Sequence, residues 1–270
     1  MLEISDKSLS LLHFLSINKF NFVHRFEVTR KMCTSESSSL TDEQKLFYEK
    51  NGYILIKNNL NPEFLDELRQ RFEDLCEGTA QNHGVSIVKD PVLKKRGISG
   101  QYAVNKDLHY FPFRPANKIV TAWTAMERVE EKNGCLHVIP GSHNGPLYNH
   151  EYPEGNKHKL YHEVTGMNHL PKLHVIMEKG DTIFFHSLLL HGSGPNFTKG
   201  FRKAISCHYA DSNCTFMDIN SINYGRMAKE IEDMEETKTG VPLNIQNYFK
   251  ARSRLIRGSP GALQQFYSNL

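Results

Sequence analysis

Residues 174–209 read HVIMEKGDTIFFHSLLLHGSGPNFTKGFRKAISCHY, and this stretch decides the fold. Three β-prone runs, HVIM (174–177), TIFF (182–185) and FRKAISCHY (201–209), are separated by Gly180-Asp181 and by Gly192-Ser193-Gly194-Pro195, residues that turn a chain sharply. Working back toward the N-terminus, IVTAW (119–123) and CLHVI (135–139) repeat the texture, punctuated by Asn133-Gly134 and Pro140-Gly141. Many short strands at close spacing, with no helices between them, predict an antiparallel sandwich or barrel, including the double-sheet jelly roll.

The flanks read differently. Thr41 followed by Gln44 is a capping box, Leu46, Phe47 and Tyr48 supply apolar surface, and Gly52 stops the helix before a short strand, YILI (53–56). Asn61-Pro62 opens a second helix whose Phe64, Leu65, Leu68, Phe72 and Leu75 recur at helical spacing and predict one core face. Beyond Ser221, Met227, Ile231 and Met234 predict a third helix, and residues 244–256 a fourth that ends at Gly258. The expected fold class is mainly β with flanking α-helices, and no internal repeat is visible.

Composition narrows the function classes. The chain has 270 residues, and its 33 Lys plus Arg nearly balance 30 Asp plus Glu, so the net charge of +3 gives no sequence-wide reason to expect nucleic acid or an anionic membrane as partner. Five cysteines with no CxxC pair argue against both a disulfide framework and a thiolate zinc cage. The sequons at Asn196 and Asn213 therefore carry little weight in what reads as a reducing compartment. No apolar run approaches the roughly 20 residues of a membrane span. Residues 9–17 (LSLLHFLSI) lack the preceding cations of a signal peptide and read as a stray hydrophobic extension. The Ser-rich stretch CTSESSSL (33–40) reads as a linker, with Met32 as an alternative start. Residues 1–39 are thus expected to be a poorly ordered extension, 40–258 the folded domain and 259–270 a tail.

Among 14 histidines, no single one is informative; a constellation is needed. Asp107 and His109, two apart, would face one side of a strand, and His191 would end a strand at a turn. Two histidines and one carboxylate on one face form the facial triad of non-haem Fe(II) oxygenases. Arg202, folded back beside His191 by the glycine-rich turn, suits bidentate binding of a small carboxylate. From spacing alone, Asp107 as a turn cap and Arg202 as a solvated strand residue stand level with that reading.

Longer runs break the tie. DLHYFPFRP (107–115), AWTAME (122–127), NGCL (133–136), MEKGDT (177–182), HGSG (191–194) and GFRKAISCH (200–208), together with the opening LTDEQKLFYEKNGYILIKNNL (40–60), resemble phytanoyl-CoA 2-hydroxylase, the peroxisomal phytanoyl-CoA dioxygenase family. The resemblance covers most of residues 40–257. It implies a double-stranded β-helix, a cupin-like jelly roll, that binds Fe(II) and 2-oxoglutarate. The implied reaction uses O2 to hydroxylate the carbon next to the thioester of a branched acyl-CoA in fatty acid alpha-oxidation, releasing succinate and CO2, with ascorbate as reductant. It assigns Asp107 and His191 to the metal, Arg202 and Ser193 to the 2-oxoglutarate carboxylate, and Trp123 to the wall beside it. It also implies a peroxisomal location, with the cytosol as alternative; the terminal Ser-Asn-Leu is at best a weak address.

Two departures from the family pattern matter. Its His-x-Asp motif reads Asn105-Lys106-Asp107 here, replacing one iron-ligand imidazole by a carboxamide. The stretch VKDPVLKKRGISGQYAVN (88–105) resembles a deletion of several dozen residues, including a lysine and a core strand that in the family help to hold 2-oxoglutarate. Impaired catalysis is therefore expected of this chain. The alternative functions are a truncated or spliced relative that only binds acyl-CoA or 2-oxoglutarate and, on fold grounds alone, a metal-free binding sandwich. His109 is not expected to replace the missing ligand. His143, His162 and Lys179 are polar loop residues that could meet the acyl-CoA or equally be solvated.

Overall fold

The computed structural model describes residues 9–12, 39–80, 104–152, 162–167, 169–200, 202–218 and 225–263. Most of the shortened 88–105 stretch, most of the Ser-rich linker and the terminal Ser-Asn-Leu lie outside them.

Strand β1 (Leu9–Leu12) comes first. Helix α1 (Asp42–Asn51) begins where the capping box predicts: the Thr41 hydroxyl accepts the Gln44 N–H at 3.2 Å and the Gln44 side chain accepts the Thr41 N–H at 2.9 Å. It leads through left-handed Gly52 into β2 (Tyr53–Ile56), and α2 (Pro62–Glu77) follows with Asn61 as N-cap. On α2, Leu65 and Leu75 are buried, but Phe72 is 53% exposed, so the buried strip is narrower than the apolar pattern predicts. The β region then runs through β3 (Phe113–Arg114), β4 (Ile119–Ala125), β5 (Leu136–Val138), β6 (His150–Glu151), β7 (Glu163–Val164), β8 (Leu173–Val175), β9 (Thr182–His186), β10 (His191–Ser193), β11 (Ala204–Asp211) and β12 (Thr215–Phe216). Helices α3 (Gly225–Thr239) and α4 (Ile245–Arg252) and strand β13 (Ser253–Arg257) complete the described chain.

A six-stranded sheet has the order β13-β1-β11-β4-β9-β2, and a three-stranded sheet the order β10-β5-β8. Trp123, Ala125, Ile183, Phe185 and Tyr53 from the larger sheet share one buried cluster with Leu136, Val138 and Val175 from the smaller. The two sheets thus close on a single core, the arrangement of a jelly roll. A second cluster, built from Phe111, Phe113, Ile119 and Ala210 with Met227, Ile231, Ile245 and Phe249, seats α3 and α4 against the end of the larger sheet.

Two expectations change. Leu9–Leu12 pairs antiparallel with both β11 and β13, so this part of the N-terminal extension belongs to the sheet; unsatisfied backbone groups on β11 and β13 gain partners there. The last helix stops at Arg252, and residues 253–257 turn into a strand instead of continuing to 256, because the extended backbone at Ser253 carries them onto β1.

Candidate active site

Side chains alternate along β4, so Thr121, Trp123 and Ala125 share one face, and the antiparallel register puts His208 of β11 opposite Thr121 and Ser206 opposite Trp123. On the other side of β4, Phe185 lies opposite Thr121 and Ile183 opposite Trp123. This face looks into the core toward the smaller sheet, whose β10 begins with His191.

Asp107 enters between the two sheets on a short segment fixed at both ends. Asn105 and His191 exchange backbone hydrogen bonds (2.9 and 3.1 Å), tying the segment to β10. Lys106 is extended (φ −123°, ψ 122°), so its side chain leaves on the side opposite to Asn105 and Asp107. The Lys106 ammonium is fully buried and donates to the carbonyls of Ser142 (2.9 Å) and Pro146 (2.8 Å); burial lowers its pKa to about 8. Its backbone N–H donates to His150 Nε2 (3.0 Å).

The Asp107 carboxylate is thereby held between a histidine from each sheet. Oδ1 is 3.4 Å from His191 Nε2, and Oδ2 is 3.4 Å from His208 Nε2 and accepts the Thr121 hydroxyl at 2.6 Å. Burial would raise the carboxyl, but the two imidazoles outweigh it and hold Asp107 well below the usual carboxylate range. Burial likewise disfavours charge on His191, yet the Asp107 carboxylate raises its pKa. His191 Nδ1–H donates to the Leu189 carbonyl (3.0 Å), which fixes the tautomer and leaves Nε2 facing Asp107.

Arg202 lies two residues before β11, not on the strand, and β11 and β10 belong to different sheets, so the expected adjacency of Arg202 and His191 on neighbouring strands does not hold. Its guanidinium instead stacks over the Trp123 indole, 5.2 Å from the ring centroid. Ser193 ends β10, opposite Leu136. Gly134 makes the approach of its turn to this segment possible: it has φ +83°, and a Cβ there would sit 2.7 Å from the Gly194 carbonyl oxygen.

His109 does not share a face with Asp107. Asp107–Tyr110 is a 3-10 turn, and its tight winding directs the His109 ring to stack on His150 (4.1 Å) and bond to His162 (2.9 Å). The triad of Asp107, His109 and His191 read from strand spacing is thus not assembled. His162 is buried in that second cluster, 3.3 Å from Glu230, and is no solvated loop residue. His143 meets the Glu49 carbonyl (3.0 Å) and lines a cleft of about 440 Å³ with Tyr48, Asn117 and His186; Lys179 pairs with Asp66. The sequence reading missed Thr121 and His208 as site residues. The signal available was the strand pairing that sets them opposite each other, and register does not follow from either strand alone.

Whether these residues suit a metal ion depends on the donors that face Asp107 and His191. Oδ1 and Nε2 at 3.4 Å are close to the roughly 3 Å separating neighbouring donors on an ion with bonds of about 2.0–2.2 Å. Among the described residues, no group of three or more His, Cys, Asp and Glu is set to hold an ion. A third donor of another kind is present: Asn105, directly opposite His191, has a buried Oδ1 that makes no hydrogen bond. A buried carbonyl oxygen without a donor is destabilising unless a cation or other partner meets it. The set therefore fits a divalent ion, with an oxygen where imidazole would bind more strongly.

Residues 78–204 match the family model described as phytanoyl-CoA dioxygenase (PhyH). A relative from Rattus norvegicus, "Phytanoyl-CoA dioxygenase, peroxisomal", is 34% identical over 287 residues, covering 83% of this chain and 85% of the relative. The chain belongs to the phytanoyl-CoA dioxygenase family. A Caenorhabditis elegans relative, "Probable phytanoyl-CoA dioxygenase", is 37% identical, covering 83% of this chain and 96% of its own. As a member of the phytanoyl-CoA dioxygenase family, the chain is a dioxygenase-type oxidoreductase. The span aligned with the Rattus protein, 287 residues, exceeds this chain's 270, so that relative has residues this chain lacks. Among solved structures, EvdO2 from Micromonospora carbonacea var. aurantiaca complexed with 2-oxoglutarate matches with a TM-score of 0.50 and 14% identity over 66% of this chain and 94% of that one, a likeness of fold.

Proposed function

We propose that this chain hydroxylates the carbon next to the thioester of a branched acyl-CoA, using Fe(II), 2-oxoglutarate and O2, with ascorbate keeping the iron reduced. The observation that carries this reading is the convergence of Asp107 Oδ1 and His191 Nε2 at 3.4 Å, supported by the buried, hydrogen-bond-free Oδ1 of Asn105 on the residue whose backbone is bridged to His191. Arg202 over Trp123 supports a co-substrate site on the same interior face: Trp123 is two strand residues, roughly 6–7 Å, from Thr121, which bonds to Asp107. The printed name of the Rattus norvegicus relative, a peroxisomal phytanoyl-CoA dioxygenase, supports a branched acyl-CoA substrate and a peroxisomal setting in this reading.

The residues divide the work. Asp107, His191 and Asn105 would hold the ion, and Asp107 stays ionised because its pKa is depressed. Arg202 supplies a fixed cation for the far carboxylate of 2-oxoglutarate, and the Ser193 hydroxyl can donate to the same group. The Trp123 ring holds the guanidinium in place and closes one wall against water. When bound, Fe(II) with 2-oxoglutarate supplies the oxygen-activating chemistry, which the protein lacks on its own.

A second reading, binding of 2-oxoglutarate or acyl-CoA without turnover, is favoured by Asn105. Loss of a supporting residue commonly costs roughly 10–100-fold in metal affinity or activity, and exchange of a ligand should cost at least as much. The test is anaerobic addition of Fe(II) and 2-oxoglutarate to the chain and to Asn105→His, followed by O2 and phytanoyl-CoA. A visible charge-transfer band in both, with succinate released in step with hydroxylated acyl-CoA, supports the enzyme. A band and turnover only in Asn105→His locate the defect at Asn105 and support the binding-only reading. No band in either removes the proposed metal site.

A further inference from the structure

We propose that Thr121 and His208 are positioning residues that clamp one oxygen of Asp107 and so present the other to the metal. The inference rests on the metal site proposed above. A carboxylate has two equivalent oxygens and turns easily about its Cβ–Cγ bond, so a lone aspartate offers either oxygen to an ion. Here the equivalence is broken. Oδ2 accepts the Thr121 hydroxyl at 2.6 Å and faces His208 Nε2 at 3.4 Å, while Oδ1 faces His191.

The clamp comes from a sheet that holds its two arms rigidly. Thr121 and His208 are direct partners across β4 and β11, in a ladder with seven register pairs, so their side chains emerge side by side on the interior face. Threonine is β-branched and restricted at χ1, which keeps its hydroxyl aimed with little entropy left to lose. The His208 ring is packed edge-on against Phe111 (5.2 Å) and its side chain is 11% exposed. His208 is therefore assigned to the non-ligating oxygen. Its Nε2 is directed at Oδ2, whereas His191 Nε2 is directed at Oδ1. In this chain, where Asn105 is a weaker donor than imidazole, a fixed Oδ1 matters more, because two strong ligands carry most of the binding.

The test is anaerobic Mn(II) titration, read by the loss of the free-ion electron paramagnetic resonance signal, on the whole chain and on the Asn105→His chain, each with Thr121→Val, Thr121→Ser, His208→Phe and His208→Gln. Thr121→Val keeps the shape and removes the donor, so affinity is expected to fall roughly 10–100-fold, whereas Thr121→Ser keeps the donor and should stay within a few-fold of the parent. His208→Phe should weaken binding, and His208→Gln, which returns an N–H, should recover part of the loss. Thermal melting of each metal-free variant separates this from general loosening: the serine and valine variants should melt together yet bind differently. Equal affinity in the parent and Thr121→Val overturns the clamp, as does a serine variant as weak as the valine one. Absence of Mn(II) binding in both the chain and Asn105→His overturns the metal site itself, and the clamp with it.

Discussion

At the scale of single residues, the site shows how one atom's surroundings set its chemistry. Arg202 is a partly buried cation lying on an aromatic face, with desolvation lowering its pKa from the ordinary arginine value. Such a guanidinium is well prepared for a carboxylate, because its geometry is fixed before the ligand arrives. Arg202→Gln removes the charge and the bidentate fork. Hydrogen bonds to charged groups contribute about 1.5–3 kcal/mol, so the apparent 2-oxoglutarate dissociation constant should rise roughly 10–100-fold, measured by calorimetric titration in the presence of Mn(II). Asn105→Asp tests the neighbouring position with almost no change of shape. It sets a second carboxylate beside Asp107, so the metal-free protein should melt at a lower temperature, and Mn(II) should raise the melting temperature more than it does in the parent. A melting curve insensitive to Mn(II) would show that residue 105 does not face the ion.

Elements position these atoms. Phe185 is the penultimate residue of β9, is 2% exposed and lies 4.5 Å from the His191 ring, so it is at once a core residue and the floor of the site. Phe185→Ala should destabilise the fold by about 3–5 kcal/mol, read as a lower urea midpoint, and weaken Mn(II) binding because the imidazole loses its support. Gly134 works at a turn. With φ +83° and the Gly194 carbonyl oxygen only 2.7 Å from where a Cβ would be, Gly134→Ala forces the turn away from the HGSG segment. A loss of about 1–3 kcal/mol in urea unfolding is expected, together with weaker 2-oxoglutarate binding if Ser193 moves with the segment. The 3-10 winding after Asp107 matters equally, since it sends His109 into a separate cluster with His150 and His162 and leaves the carboxylate to His191 and His208.

For the whole molecule, burying so many imidazoles makes stability depend on pH. Burial first, and then neighbouring positive groups, lower His137, His150 and His186 to about 4 from the ordinary 6.5. The unfolded chain takes up protons on these groups near pH 6.5 while the folded chain refuses them until about pH 4. Their contribution is therefore complete above pH 6.5 and is lost as pH falls toward 4. His191 has a raised pKa, so its contribution is complete at low pH and fades as pH rises through that value. His109, His143 and His162 are lowered by burial as well, so the lowered groups outnumber His191 and the net effect is a loss on acidification: urea midpoints should fall steadily from pH 7 to pH 4.5, and a flat profile would mean that these imidazoles are hydrated in the fold.

Local sequence determined a good deal of this protein. The caps at Thr41 and Asn61, the strand runs at 53–56 and 182–185, the turns at Gly134 and Gly180 and the sheet-rich middle were legible because each depends on hydrogen bonds and steric limits within a few residues. The spacing of the runs predicted an antiparallel sandwich or barrel, the jelly roll among them, and the resemblance carried by the motif runs singled out Asp107, His191, Trp123 and Arg202 as the proposed site residues. Tertiary structure decided the rest. Whether Phe72 is buried, whether residues 253–257 form helix or strand, and whether residues 9–12 join the sheet all depend on which surface arrives opposite them. The partners of Asp107 belong to the same class. Thr121 and His208 lie 87 positions apart in the chain and meet only because β4 and β11 pair in one register, and a shift of one residue would turn both away from the carboxylate. Local propensity acts over a few residues, whereas a binding site is a meeting of distant ones, set by the packing of the two sheets.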